Sequence, residues 1–132
     1  MTGTWSINVR PDSEHLTLIN ANDRHHWTRR ADLARQWRAN GWNTTQHIPR
    51  LDKAHITIEF AWPDNRHRDV GNLAPTAKAW VDGAVNGPFK GHRFGPGLLP
   101  DDDDQHLVGP DLRRGPRTHR EPLIFITIME LT

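Results

Sequence analysis

The pattern of apolar and polar residues predicts strands in three parts of the chain, two by alternation and one by a continuous apolar run. The first alternation spans residues 5–9, and the second spans residues 51–61, where Ile56 and Phe60 share one face. Residues 123–129 are almost continuously apolar and β-branched, which predicts a central strand buried on both faces. Residues 105–112 form a weaker strand candidate.

Apolar residues recur at helical spacing in two further segments. The first helix is predicted to start with Thr28 as its cap and to stop at the Asn40-Gly41 pair, since both residues tolerate a left-handed backbone. The second is predicted to start near Asn72, which can cap it, with Pro75 in its first turn and Gly87-Pro88 after its end.

The predicted order of elements is strand, helix, strand, helix, strand, strand, and residues 15–19 form a possible extra extended piece. This order favours an α+β fold in which a small mixed β-sheet packs with two main helices. At 132 residues the chain is predicted to form one domain, residues 1–132.

Composition narrows the possible classes of protein. The mean hydropathy is −0.76, and no apolar run reaches the ~18 residues of a membrane-spanning helix. The N-terminus lacks the basic and apolar segments of a signal peptide. Cysteine is absent, which excludes disulfides and thiolate zinc sites. We therefore expect a cytoplasmic protein with no membrane partner.

The net charge of +1 conceals a segregation of charge along the chain. Arginines gather in residues 24–38 and 113–120, whereas four consecutive aspartates occupy residues 101–104. Basic arms around an acidic centre suit a protein that grips phosphates and holds a metal. Ordinary scatter of surface charge is an equally good interpretation of the pattern alone.

Candidate catalytic residues lie where the second strand leads into the second helix. Asp69 ends this connection, Lys78 lies one to two turns into the helix, and Asp82 shares a face with Lys78. Carboxylates that hold Mg²⁺ or Mn²⁺ beside a lysine are what phosphodiester hydrolysis requires. Alternatively, Asp69 caps a turn, and Lys78 and Asp82 form an ordinary ion pair on the helix surface.

The aspartate run is the second candidate for metal binding. Asp101 to Asp104 repel one another unless a cation or a basic surface offsets their charge, although a solvated acidic loop is the usual interpretation of such a run. Apolar residues on both sides favour one or two of these carboxylates pointing inward, toward Asp69. The nine histidines show no spacing typical of a zinc site.

With these residues identified, the chain resembles the RusA family of Holliday-junction resolvases along nearly its whole length. The family pattern is Asp-x-Asp-Asn, followed by a helix that carries a lysine and then by a glycine-hydrophobic segment that ends in an Asp-Asp pair. Here the corresponding segments are Asp69-Val70-Gly71-Asn72, Lys78 to Gly83, and Gly97-Leu98-Leu99-Pro100-Asp101-Asp102.

The resemblance implies a homodimeric, metal-dependent endonuclease that resolves four-way DNA junctions, a branched DNA. Asp69, Lys78 and Asp102 match the catalytic positions, and the metal, Mg²⁺ or Mn²⁺, would be bound by Asp69 and Asp102 with Asp101 or Asp103. Alignment backward from the following strand instead matches Asp103 or Asp104 to the position of Asp102. The predicted DNA-binding residues are Asn72, Arg24, Arg68, Arg113, Arg114 and Arg117.

One motif position departs from the family pattern. Gly71 stands where the second motif aspartate is expected, so Asp82 or a member of the acidic run replaces that carboxylate, or the metal site is weakened. The alternative hypothesis is therefore a protein of the same fold that binds branched DNA but cuts it poorly. A nuclease for other DNA, such as flaps or plain duplex, is a third hypothesis.

Overall fold

The computed structural model describes residues 2–24, 26–92 and 95–132. Four strands and two α-helices follow one another in the predicted order. They are β1 (Thr4–Val9), α1 (Trp27–Thr44), β2 (Ala54–Ala61), α2 (Ala74–Asn86), β3 (Leu107–Arg114) and β4 (Leu123–Glu130), with a short 3₁₀ helix (Val70–Leu73) directly before α2. The predicted α+β class is confirmed.

The strands form one mixed sheet in the order β1-β4-β2-β3. β4 is antiparallel to both of its neighbours, whereas β3 lies parallel to β2 at the sheet edge. A parallel pair requires a crossover connection, which the 3₁₀ helix and α2 provide. The predicted weak strand at residues 105–112 is β3.

The central strand β4 is buried on one face, not on both as predicted. Ile124, Ile126 and Ile128 are fully buried, while Phe125 and Thr127 on the other face are half-buried. The reason is that α1 and α2 join the same core, where Trp37 and Trp80 approach Ile124 and Ile126.

The first helix differs from its prediction at both ends. His26 caps α1, accepting a hydrogen bond from the Thr28 backbone N–H at 3.3 Å, so Thr28 lies inside the helix. The helix also continues through Asn40-Gly41 to Thr44. Gly41 serves close packing here, since a Cβ at that position would lie 2.0 Å from the Trp80 carbonyl oxygen.

Residues 15–19 do not form a strand in the structure. Ile19 is buried, and its backbone is held by the side chain of Thr76 on α2. The Thr76 hydroxyl accepts from the Ile19 N–H at 2.7 Å and donates to the Ile19 carbonyl at 2.9 Å. A side chain thus replaces the neighbouring strand that this segment would otherwise need.

The second helix begins at Ala74, with Pro75 in its first turn as predicted. The predicted cap is wrong, because Asp69 and not Asn72 is the capping side chain in this connection. The Asp69 carboxylate accepts from the Gly71 N–H at 3.0 Å and so closes the 3₁₀ helix ahead of α2.

Neither α-helix has the length and apolar character needed to cross a membrane, within the residues that the structure describes.

Candidate active site

The loop that carries the acidic run is fixed against the end of α2. The Leu98 N–H donates to the Ala84 carbonyl at 2.9 Å, and Leu98 and Leu99 are buried. A Cβ on Gly97 would lie 1.8 Å from the Val85 carbonyl oxygen, so only glycine permits this close approach. These contacts bring the start of the acidic run beside the C-terminal turns of α2.

Asp102 of this run lies against Asp82 of α2. Burial, together with hydrogen-bonding contacts to the Asp101 and Asp82 carboxyls and repulsion by their charges, raises the pKa of Asp102 above its ordinary value. A like charge close to a carboxylate disfavours its ionised form, and this is the effect on Asp102. A bound cation would relieve that repulsion.

Two cations approach Asp82 through the same oxygen. Lys78 Nζ lies 3.7 Å and Arg38 Nη1 lies 3.8 Å from Asp82 Oδ2. The Lys78 side chain is 76% exposed, whereas that of Arg38 is only 14% exposed. Lys78 therefore reaches solvent and any bound phosphate, whereas Arg38 is fixed within the protein.

Lys78, Asp82 and Asp102 line a common pocket of about 750 Å³ between α2 and β3. Most of its wall is apolar, and Arg30 lies among the lining residues. The apolar lining comprises Ala21, Ala74, Pro75, Ala77, Val81, Leu107, Pro110 and Leu112. A few convergent polar groups in an otherwise apolar concavity are typical of ligand sites.

Asp69 and Asn72 line a different, smaller pocket of about 380 Å³. The two pockets are neighbours in space. Asn72 lines the smaller pocket and Ala21 lines the larger one, and the Ala21 N–H donates to the Asn72 carbonyl at 2.7 Å. The structure therefore gathers two of the three predicted catalytic residues, Lys78 and Asp102, in one cavity and puts Asp69 in the neighbouring one.

The remaining aspartates of the run point in several directions. Asp101 Oδ1 accepts from the Asp102 N–H at 2.7 Å, and its carboxyl also contacts that of Asp102. Asp103 pairs with His106 at 2.6 Å, and this hydrogen bond lowers the pKa of Asp103. Of the two predicted additional ligands, Asp101 lies beside the pair, whereas Asp103 is engaged by His106.

The donor set at Asp82 and Asp102 suits a hard divalent cation. Magnesium commonly takes one or two protein carboxylates and completes its shell with waters and substrate phosphate oxygens. No group of three or more acidic, histidine or cysteine side chains is arranged for a metal among residues 2–24, 26–92 and 95–132.

Three of the predicted DNA-binding arginines surround the loop that follows β2. The Arg68 guanidinium lies 4.4 Å and that of Arg114 lies 5.2 Å from the centre of the Trp62 ring. Arg114 also donates to the Arg66 carbonyl at 2.8 Å, and Arg117 donates to the Pro63 carbonyl at 2.8 Å. These arginines fix the loop and concentrate positive charge on it.

Arg68 is the most strongly engaged member of this group. It binds Asp64 through two parallel hydrogen bonds of 2.6 and 3.1 Å, which lower the pKa of Asp64 to about 2. Arg113 on β3 and Arg24 ahead of α1 are both exposed. We define the basic surface as Arg66, Arg68, Arg113, Arg114 and Arg117.

Sequence reasoning missed Arg38 and Trp62 as parts of these sites. Arg38 was one of several arginines on α1, and no local pattern separates it from the rest. Trp62 directly follows the strand pattern. The two arginines that stack on it, Arg68 and Arg114, lie in later segments of the chain. The stacking of both guanidinium groups on one ring depends on the pairing of β2 with β3.

No model of a known protein family matches this chain, and no curated protein matches it either.

Proposed function

We propose that the protein is a metal-dependent, structure-selective endodeoxyribonuclease that resolves four-way DNA junctions. The observation that carries the proposal is the pairing of the Asp82 and Asp102 carboxylates beside Lys78 in one pocket. Lys78 and Asp102 follow one another in the order of the motif by which the chain resembles RusA resolvases, whereas Asp82 lies between them. Gly71 lacks a carboxylate beside Asp69, and in this proposal Asp82 supplies a second carboxylate beside Asp102 instead.

In this proposal Asp82 and Asp102 hold Mg²⁺ or Mn²⁺, and Asp101 supports Asp102 from the adjacent position. When bound, the metal lowers the pKa of a water and offsets charge on the phosphate. Lys78, exposed at the pocket rim, contacts the phosphate oxygens on which charge develops. Asp69 and Asn72 border the neighbouring cavity, where the continuing strand would pass.

The basic surface binds the DNA backbone in the proposal. Two of its arginines, Arg68 and Arg114, stack on Trp62, and phosphate contacts from such side chains position a protein on DNA without reading its sequence. A homodimer would supply two such sites related by two-fold symmetry, which matches the approximate symmetry of a four-way junction.

Cleavage of a synthetic four-way junction in Mg²⁺ tests the proposal. Asp82→Asn and Asp102→Asn are expected to lower the cleavage rate by about 100-fold or more, since metal charge stabilisation is worth several kcal/mol. Asp104→Asn is the matched control, because Asp104 is an exposed member of the same run and does not line the pocket. Equal loss in all three variants, or in none, would remove the site assignment.

A second candidate function is a branched-DNA-binding protein that cuts poorly. It is favoured by the position of Asp69, which lines a cavity separate from that of Asp102. A Cβ on Gly71 would lie 3.1 Å from Asp69 Oδ1, so Gly71→Asp would place a second carboxylate beside Asp69. Junction binding without Mn²⁺ binding in the wild type, with cleavage gained in Gly71→Asp, would support this function instead.

A further inference from the structure

Arg38 is the only residue of α1 whose side chain forms an ion pair with the candidate active site, within the part of the chain that the structure describes. Its Nη1 lies 3.8 Å from Asp82 Oδ2, and its Nη2 donates to the Gly87 carbonyl at 3.1 Å. The guanidinium thus spans from the Asp82 side chain to the residue that ends α2. A planar fork of donors is suited to holding two acceptors at fixed positions.

The backbone around Arg38 is also fixed against α2. A Cβ on Gly83 would lie 1.9 Å from the Arg38 carbonyl oxygen, so the two helices are in backbone contact directly beside Asp82. The Trp80 indole N–H donates to Asn40 Oδ1 at 3.0 Å and joins the same pair of helices. Arg38 therefore has little freedom to move relative to Asp82.

Burial of the charged Arg38 side chain destabilises the folded protein unless nearby groups compensate for its charge. The Arg38 side chain is 14% exposed, and its Nε is buried without a hydrogen-bond partner among the described residues. An unpaired buried donor destabilises the folded protein. Asp82 is its only ion-pair partner in the described part of the chain, so the position of this charge is tied to that carboxylate.

Lys78 cannot fix Asp82 in the same way. Its side chain is 76% exposed and flexible, and exposed ion pairs of this kind contribute little. No ion pair joins Asp102 to a cation among the described residues, so the two carboxylates differ in their support. Asp82 is held by a buried cation, and Asp102 is held by its loop.

We infer that Arg38 is a positioning residue whose charge, 3.8 Å from Oδ2 of Asp82, attracts that oxygen and leaves the other carboxylate oxygen to face the metal. This inference rests on the proposed function, because it assigns Asp82 as a metal ligand. Removing the partner that fixes a metal-binding carboxylate commonly lowers metal affinity by about 10–100-fold. Arg38 is not itself expected to contact metal or DNA.

Isothermal titration of the 132-residue chain with MnCl₂ tests the inference without using catalysis. Arg38→Gln is expected to bind Mn²⁺ about 10–100-fold more weakly than the wild type. Arg38→Lys keeps the charge but lacks the fork, so a smaller loss is expected. Arg35→Gln is the matched control, since Arg35 lies on the same helix and pairs with exposed Asp32 at 3.0 Å. Its affinity should equal that of the wild type.

The outcomes separate the inference from the proposed function. Wild-type protein that binds no Mn²⁺ contradicts the proposed metal site and the inference with it. Wild-type protein that binds Mn²⁺, together with a folded Arg38→Gln variant of equal affinity, overturns the inference alone. Should Arg38→Gln fail to fold, Arg38→Lys decides: unchanged affinity overturns the inference, and weakened affinity beside an unchanged Arg35→Gln supports it.

Discussion

Gly83 on α2 lies directly against the backbone of Arg38 on α1, so close that a Cβ on the glycine would be 1.9 Å from the Arg38 carbonyl oxygen. Gly41 on α1 makes the corresponding contact with the Trp80 carbonyl at 2.0 Å. Two glycines, one on each helix, thus bring the helices into backbone contact beside Asp82. This contact sets the depth at which the Arg38 guanidinium approaches the candidate active site.

The first prediction concerns this helix contact. Alanine normally stabilises a helix interior relative to glycine, but Gly83→Ala must push α1 and α2 apart and is expected to lower the free energy of unfolding by about 1–3 kcal/mol. Urea denaturation measures the change. Gly71→Ala is the control, because its added Cβ meets only the end of the Asp69 side chain at 3.1 Å. A Gly83→Ala variant as stable as the wild type would show that the helices separate freely.

The second prediction concerns the repulsion between Asp82 and Asp102. Because the folded protein raises the pKa of Asp102, the unfolded chain ionises first as the pH rises above the ordinary value of 3.8. The ionised carboxylate therefore destabilises the fold at neutral pH and has no effect well below pH 3.8. Asp102→Asn is expected to raise the free energy of unfolding at pH 7 by about 0.2–0.5 kcal/mol, the cost of exposed like charges.

Chemical denaturation of the wild type and of Asp102→Asn from about pH 4 to about pH 8 measures how the difference in the free energy of unfolding changes with pH. The stability difference should open as the pH rises and then stay constant. Asp104→Asn, in the same acidic run, serves as the comparison. A difference that closes with rising pH would mean that Asp102 is stabilised as an anion in the folded protein.

The third prediction concerns the Asp64–Arg68 ion pair. Two hydrogen bonds from Arg68 are the main reason that the pKa of Asp64 falls to about 2. The pair therefore stabilises the fold at pH values above about 3.8, and this contribution is lost as the pH falls toward 2. In Arg68→Gln the pKa of Asp64 is expected to return toward 3.8.

Carboxyl carbon NMR measured through an acid titration reports this pKa directly. Arg66→Gln provides the control, since the charge of Arg66 is the weakest of the influences on Asp64. An Asp64 carboxyl that titrates identically in the wild type and in Arg68→Gln would show that the two hydrogen bonds do not form in solution.

The fourth prediction concerns the basic surface. Arg113 is exposed on β3, and its side chain forms no hydrogen bond or ion pair with the other residues that the structure describes. It is therefore available to a phosphate. Arg113→Gln is expected to weaken junction binding and to reduce the slope of log affinity against log salt by about 0.9. Fluorescence anisotropy over a series of salt concentrations measures both quantities.

Lys53→Gln is the control for this experiment, because Lys53 directly precedes β2 and Arg113 pairs with Glu59 near the other end of that strand. Its salt slope should match that of the wild type. Equal slopes in all three proteins would place the DNA on a different face of the sheet.

Local patterns in the sequence were sufficient for the elements and their order. Periods of two and of 3.6 residues report on a face that must be buried, and this requirement acts within each segment. The strand at residues 123–129 and the helix containing Lys78 and Asp82 were therefore predictable. The proline at the start of α2 was predictable for the same reason, since its missing N–H matters only inside a helix.

The tertiary structure decided what the local patterns left open. Asn40-Gly41 resembles a helix stop, but Gly41 instead permits close contact with the Trp80 carbonyl. Trp80 lies on α2, which is a separate and later segment of the chain. Which aspartate lies near Asp102 was equally undetermined, because the approach of the acidic loop to α2 is fixed by Leu98 and Gly97. Close packing between distant segments selects one arrangement among many that share the same pattern, and no single segment contains that information.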